Sequence, residues 1–185
     1  RKLPSQLLLE HLQAHFEIMK NQMKKIKGIE SQGLLRKKVL ISLVEGIPFC
    51  KTLGIQVDYL GNEITTHLPS NEEFVGNPAI PALHGGVIGA FLEITAIIQL
   101  SWTIFLANDQ KENLSSKDAI GTEERNLVRD LPKTIDITID YLHSGLLLES
   151  FARANVDRIG RRYASVSVSA WQSDPLKPFA KASGH

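Results

Sequence analysis

Residues 83–96, Leu-His-Gly-Gly-Val-Ile-Gly-Ala-Phe-Leu-Glu-Ile-Thr-Ala, put a histidine and two glycines ahead of an apolar run that holds one carboxylate, Glu93. Gly85 and Gly86 remove side-chain bulk at a helix start, so a ligand oxygen can approach the backbone N–H groups closely. The helix dipole adds partial positive charge there. A carbonyl oxygen that gains negative charge on attack would be stabilised at such a point; the same glycines could also serve only close packing of the helix end. Glu93 sits among Val87, Ile88, Ala90, Phe91, Leu92, Ile94 and Ala96. A carboxylate in that setting is costly to bury without a partner. It is a base or nucleophile, a satisfied core carboxylate, or one that reaches solvent. Seven residues separate Gly86 from Glu93, about 10 Å along a helix. Groups that far apart on one chain do not meet one carbonyl at ~3 Å. If both serve one reaction, the carboxylate comes from a second copy of the chain.

Other chemistries lack their residues. Gly-Gly-Val-Ile-Gly is not a dinucleotide fingerprint, and no Gly-Lys-Ser/Thr phosphate loop occurs. His-Gly-Gly occurs in the oxyanion loops of serine hydrolases, but those need a Gly-x-Ser-x-Gly elbow, which the chain does not have. His11 and His15 are four apart, as a metal pair on a helix would be, with no third ligand near them. No metal site is expected.

The elements that must position these groups follow from periodicity. Leu9, Leu12, Phe16, Met19, Met23 and Ile26 recur at three and four, and Leu34, Leu35, Val39, Leu40 and Leu43 suggest a second helical piece. Residues 1–46 thus read as a helical extension and 47–185 as the main domain. Residues 53–59 and 63–68 alternate around a Leu-Gly-Asn turn, a β-hairpin. Residues 69–83, with three prolines, read as an extended loop. The apolar helix is expected to end near Phe105, followed by a polar loop over 107–133. Strand patterns follow over 134–142, with Ile135, Ile137, Ile139 and Tyr141 on one face, then over 147–158 and 162–173. Phe179-Ala180 opens a last, edge strand. A helix apolar nearly all round must be covered on nearly all sides, and a curling antiparallel sheet does that. The expected class is α+β in two layers.

The 185 residues suffice for one domain with a sizeable core. A net charge of +1 gives no global field for nucleic acid, and Lys20, Lys24, Lys25 and Lys27 read as a solvated face. The single cysteine, Cys50, excludes an internal disulfide and reads as a small buried residue. No uninterrupted apolar run of ~18 residues is seen, so no membrane span is expected. The chain reads as cytoplasmic.

Asn-Pro-Ala-Ile-Pro-Ala-Leu-His-Gly-Gly-Val-Ile-Gly-Ala-Phe-Leu-Glu-Ile-Thr-Ala, Lys-Thr-Ile-Asp-Ile-Thr-Ile-Asp-Tyr-Leu-His-Ser-Gly and Arg-Ile-Gly-Arg-Arg-Tyr-Ala-Ser-Val-Ser-Val-Ser-Ala-Trp-Gln together resemble the hot-dog-fold acyl-CoA thioesterases of the phenylacetate-pathway (PaaI-like) family. The resemblance covers roughly residues 47–184. It implies a long central helix wrapped by a curved antiparallel sheet, in a homodimer that can pair again into a tetramer. It implies Glu93 as nucleophile or general base and Gly85 as the amide that polarises the thioester carbonyl, with Gly86 beside it. It implies His84 as the residue that orients the loop, Asn77 as the one that positions water or substrate, and Thr134 as a hydroxyl on the strand. Gly160, Arg161 and Arg162 match the turn near the coenzyme A phosphates. No cofactor is implied, since coenzyme A is part of the substrate. The family's Arg-Pro-Gly is replaced here by His143-Ser144-Gly145, which removes a cation. A non-catalytic acyl-CoA sensor on the same fold is the alternative, and Glu93 weighs against it. An enoyl-CoA hydratase would need an Asp before the helix, and none lies between Pro69 and His84.

Overall fold

The structure, a computed structural model, describes residues 17, 19–22, 32–112 and 131–185. It divides into two compact units, Arg1–Val39 and Leu40–His185, whereas the sequence pattern places the division at residues 46 and 47. In the first unit, residues 17 and 19–22 are helical. Leu9, Leu12, Phe16, Met23 and Ile26, the His11–His15 pair and the lysines at 24, 25 and 27 lie outside the described residues. A helix over residues 32–46 (α1) spans the boundary.

A short helix that the periodicity did not show, Pro48–Leu53 (α2), follows. Proline at its first position has no N–H to lose and a pre-set φ. Gly54 ends it in the left-handed region at φ 67°. The Gly54 and Ile55 amides donate back to Lys51 O and Cys50 O, so the last carbonyls are satisfied. Cys50 is 0% exposed on this helix, as expected of a packing residue. Burial pushes its thiol up to about 11 from the model-peptide value of 9.0. The folded protein should therefore resist thiol reagents at pH 8, with labelling seen only after denaturation; rapid labelling of the native chain would contradict this burial. A raised thiol pKa favours the protonated fold, so this contribution is intact below pH 9 and is lost as pH rises from 9 towards 11.

The hairpin forms as the alternation predicts. Strands Gln56–Leu60 (β1) and Glu63–Leu68 (β2) pair antiparallel across a turn in which Gly61 has φ 64°. The segment expected as an extended loop is more ordered than its prolines suggest. It holds a 3-10 turn, Glu72–Phe74, and two short strands, Val75–Asn77 (β3) and Ala82–Leu83 (β4), which pair with each other. Asn71 caps that turn through its side chain, which accepts from Glu73 N.

The apolar helix runs from Gly85 to Glu112 (α3), seven residues beyond the expected end. The polar Asn108–Glu112 stretch read as a breaker, yet nothing in it forbids helix and the long apolar body carries it onward. By length and composition alone, Gly85–Asn108 could cross a membrane, which corrects the reading that no segment could. Here its side chains fill a core instead: Phe91, Leu92, Ile98 and Trp102 are 0% exposed.

Among the described residues, Ile137–Tyr141 (β5), Ser150–Ile159 (β6), Ala164–Trp171 (β7) and Ala180–Gly184 (β8) complete a six-stranded antiparallel sheet in the order β1-β2-β6-β7-β8-β5. β8 is not the edge. It returns on the free side of β7, and β5 then pairs outside it, so β1 and β5 are the edges. Ile64, Thr66 and Leu68 of β2, Ala152 of β6, Val166, Val168 and Ala170 of β7, and Ala180 and Ala182 of β8 alternate inward and are buried. The α3 helix packs on β6, β7, β8 and β2. This is the hot-dog arrangement of a long central helix packed against an antiparallel sheet. Small inward residues on β6 to β8 let the helix lie close, and a buried Thr66–Thr95 hydroxyl pair, 2.7 Å apart, ties it to β2. At ~25 cal/mol per Å² of buried apolar surface, each large α3 side chain contributes roughly 1.5–3 kcal/mol.

Candidate active site

The start of α3 is fixed from three sides. His84 N–H donates to Phe74 O at 2.7 Å, and Gly76 lies directly against His84: a Cβ on Gly76 would sit 2.6 Å from His84 Cα. His84 then caps the helix, its Nδ1 accepting from Gly86 N–H at 2.9 Å. That bond puts the ring proton on Nε2. His84 O accepts from Val87 N and Ile88 N. Of the four amides that open α3, Gly85 N–H alone has no partner among the described residues. Gly86 N–H, also expected to face substrate, is committed to the cap. On the other side Tyr141 Oη donates to Gly85 O at 2.9 Å. Sequence reasoning placed Tyr141 only on a strand face and missed this clamp; it also passed over Gly76, whose one signal was a glycine just before Asn77. Gly76→Ala should lower stability by about 1–3 kcal/mol by pushing His84 off its position, measurable as a drop in the urea midpoint; an unchanged midpoint would show that the loop yields freely.

Glu93 stands in the third turn of α3, half-buried, with no hydrogen bond or ion pair among the described residues. It lines a cavity of about 330 Å³ with Ala96, Ile97, Leu100 and Ile104 of the same helix face and Ile137, Val166, Val168 and Ala182 of the sheet. The cavity explains why one charge can sit in an apolar helix. The carboxylate is not in the core but at the edge of an open chamber. Thr134 lines this cavity too, though not from a strand: β5 begins only at Ile137. Ile135 bends, because its N–H and that of Asp136 turn to His185 O. Gly160, Arg161 and Arg162, in the turn between β6 and β7, reach the same cavity. The unexpected members are Lys133, Asp136, Tyr163 and His185.

Asn77, His84, Gly85 and Gly86 line a second cavity of about 680 Å³, with Tyr141, His143, Ile80 and Ile88. Asn77 Oδ1 accepts from Ala79 N at 3.0 Å, which shapes the loop and leaves the side-chain NH₂ as its donor to the cavity. The two linings share no residue. Within one chain, then, the free amide and the free carboxylate open into different chambers, as the helical spacing required. Among the described residues no group of three or more His, Cys, Asp or Glu could hold a metal ion.

A family model described as "Thioesterase superfamily" matches residues 81–179, more than half of the chain, and includes Glu93 and both glycines. Among solved structures, a protein from Shewanella oneidensis related to the thioesterase superfamily is similar at TM-score 0.62 and 18% identity, covering 83% of this chain and 94% of that one. A protein from Chromobacterium violaceum is similar at TM-score 0.53 and 28% identity, covering 83% and 91%. A phenylacetic acid degradation-related protein from Ralstonia eutropha JMP134 is similar at TM-score 0.53 and 17% identity, covering 75% and 87%. The curated proteins give no match.

Proposed function

The chain belongs to the thioesterase superfamily, and from that premise we propose that it hydrolyses acyl-coenzyme A to a free acid and coenzyme A, at a site shared by two copies of the chain. The observation that carries this is the presence of two groups, the Gly85 amide and the Glu93 carboxylate, that have no partner among the described residues and open each to its own cavity. The thioester carbonyl oxygen accepts from Gly85 N–H of one copy, which also presents Asn77. Glu93 of the other copy attacks the carbon or takes the proton of an attacking water. Thr134, on the same wall, holds that water or the carboxylate in line. As the carbon–sulfur bond breaks, the thiolate leaves with the electron pair and takes up a proton. In the general-base course the acid keeps the water oxygen. In the nucleophilic course a mixed anhydride forms on Glu93 and water then cleaves it. The proposed reaction uses no metal or redox cofactor. Coenzyme A thioesters and a buried, unpaired cysteine fit a cytoplasmic protein.

The test is thiol release over a panel of short, long and aromatic acyl-CoA esters, with free coenzyme A measured directly. At least one ester should be cleaved with saturable kinetics. Tight binding of the esters without release would instead leave a sensor. The shared site also requires at least a dimer at micromolar concentration by light scattering. A monomer that hydrolyses thioesters would remove the second copy from the mechanism.

A further inference from the structure

We propose that Tyr141 is a positioning residue for the hydrolysis: its hydroxyl, bonded to Gly85 O, sets the direction in which the Gly85 N–H points and so holds that donor for the thioester carbonyl. The inference rests on the reading of this amide as the donor to the carbonyl, and adds to it a residue that sequence reasoning placed only on a strand face.

Two peptide units meet at Gly85 and are held differently. The unit between His84 and Gly85 carries the N–H that has no partner among the described residues. Its carbonyl, His84 O, accepts from Val87 N and Ile88 N at 3.0 and 3.1 Å. The unit between Gly85 and Gly86 is gripped at both ends. Its N–H donates to His84 Nδ1 at 2.9 Å, and its carbonyl accepts from Tyr141 Oη at 2.9 Å. Gly85 has no side chain to restrict rotation between the two units, so hydrogen bonds must fix the angle between them. The Tyr141 bond is not needed to satisfy the carbonyl. Gly85 O opens α3 and has the helical amide four residues on as its partner, and the phenol takes the second lone pair. Nor does the side chain bury much surface, since Tyr141 is 55% exposed. What it contributes is direction.

The phenol is itself firmly placed. Tyr141 pairs with Ala180 of β8, and the next two amides, Leu142 N and His143 N, both donate to Phe179 O, at 2.9 and 3.2 Å. Ile139 and Tyr141 are two apart and share a face of β5, while Gly85 and Gly89 are four apart and share a face of α3. The strand side chains lie in the groove that the glycines leave. A Cβ on Gly89 would sit 3.1 Å from Ile139 Cδ1, and one on Gly85 would sit 3.3 Å from Tyr141 Oη. Tyr141 lines the cavity into which Gly85 opens, but its proton is directed at Gly85 O and not at a substrate oxygen. It acts through the amide.

Tyr141→Phe removes the hydroxyl and keeps the ring. It is expected to lower kcat for a cleaved acyl-CoA ester about 10-fold with KM unchanged, because a misdirected donor weakens the transition state alone. An unchanged kcat would overturn the role. The deciding measurement is a double-mutant cycle with Gly85→Pro, which takes the amide away. If the hydroxyl acts through that amide, adding Tyr141→Phe to Gly85→Pro costs nothing more. A further fall of about 10-fold in the double variant would overturn positioning and make the hydroxyl a direct donor to substrate. Glycine ¹⁵N labelling reads the same contact without turnover. The Gly85 resonance, identified by its absence in Gly85→Pro, should move in Tyr141→Phe together with that of Gly86. Resonances that stay in place would overturn the positioning role. Resonances that move in a protein that cleaves no ester would overturn the hydrolase reading and leave the hold of Tyr141 on the amide standing.

Discussion

Glu93→Gln is expected to lose at least ~10²-fold in kcat, about 2.7 kcal/mol of barrier, while the protein stays as stable as the parent or becomes more so. The two halves of this result have one cause. Glu93 lines a cavity with mostly apolar walls and has no hydrogen-bond donor or ion-pair partner among the described residues, so the fold gains nothing from its charge. An amide of the same shape can neither attack a carbonyl nor take a proton from water, yet it fills the same space without carrying a charge beside Ile97 and Leu100. A structural carboxylate behaves in the opposite way: losing one partner of a buried pair costs roughly 3–5 kcal/mol. Steady-state kinetics and thermal melting on one preparation separate the two. A variant that melts far lower and keeps its specific activity would remove Glu93 from the chemistry.

That reading was open in the sequence because it depended on spacing along one helix. A helix fixes which residues share a face and how far apart they lie, so the separation of Gly86 and Glu93 could be argued before any fold was known, and their two linings have no residue in common. The strand alternations of β2 and β7 were readable for a similar reason, since a half-buried strand writes its faces into its sequence. What escaped were contacts set by pairing between distant segments. Nothing local says that β8 inserts between β7 and β5, and so nothing said that His185 would bend Ile135 and take Thr134 off the strand. The clamp from Tyr141 to Gly85 joins residues 56 apart. The use of Gly86 N–H by the His84 ring was local, only two residues away, but side-chain rotation rather than residue type decides it. The α2 helix was too short for its period to appear.

Gly85→Pro should lose ~10²–10³-fold in kcat with little change in KM, the cost of removing one oxyanion donor. Gly85 is the first residue of α3, the position at which proline is tolerated because the missing N–H has no helical partner and the required φ is already that of a helix. The substitution therefore removes the one opening amide without a partner and leaves the His84–Gly86 cap bond in place. Bulk is the competing explanation, since a Cβ at this position lies 3.3 Å from Tyr141 Oη. Gly85→Ala supplies the same Cβ and keeps the N–H, so it should stay within ~10-fold of the parent if the donor matters more than the space. Equal losses in the two variants would assign the effect to Tyr141 and not to the amide. The pair also tests the second copy. Glu93→Gln and Gly85→Pro chains, each inactive alone, should recover roughly a quarter of native activity when refolded together. Random pairing makes half of the dimers mixed, and each mixed dimer has one site with both native groups. If both groups acted within a single chain, every site in the mixture would carry one defect and no activity would return.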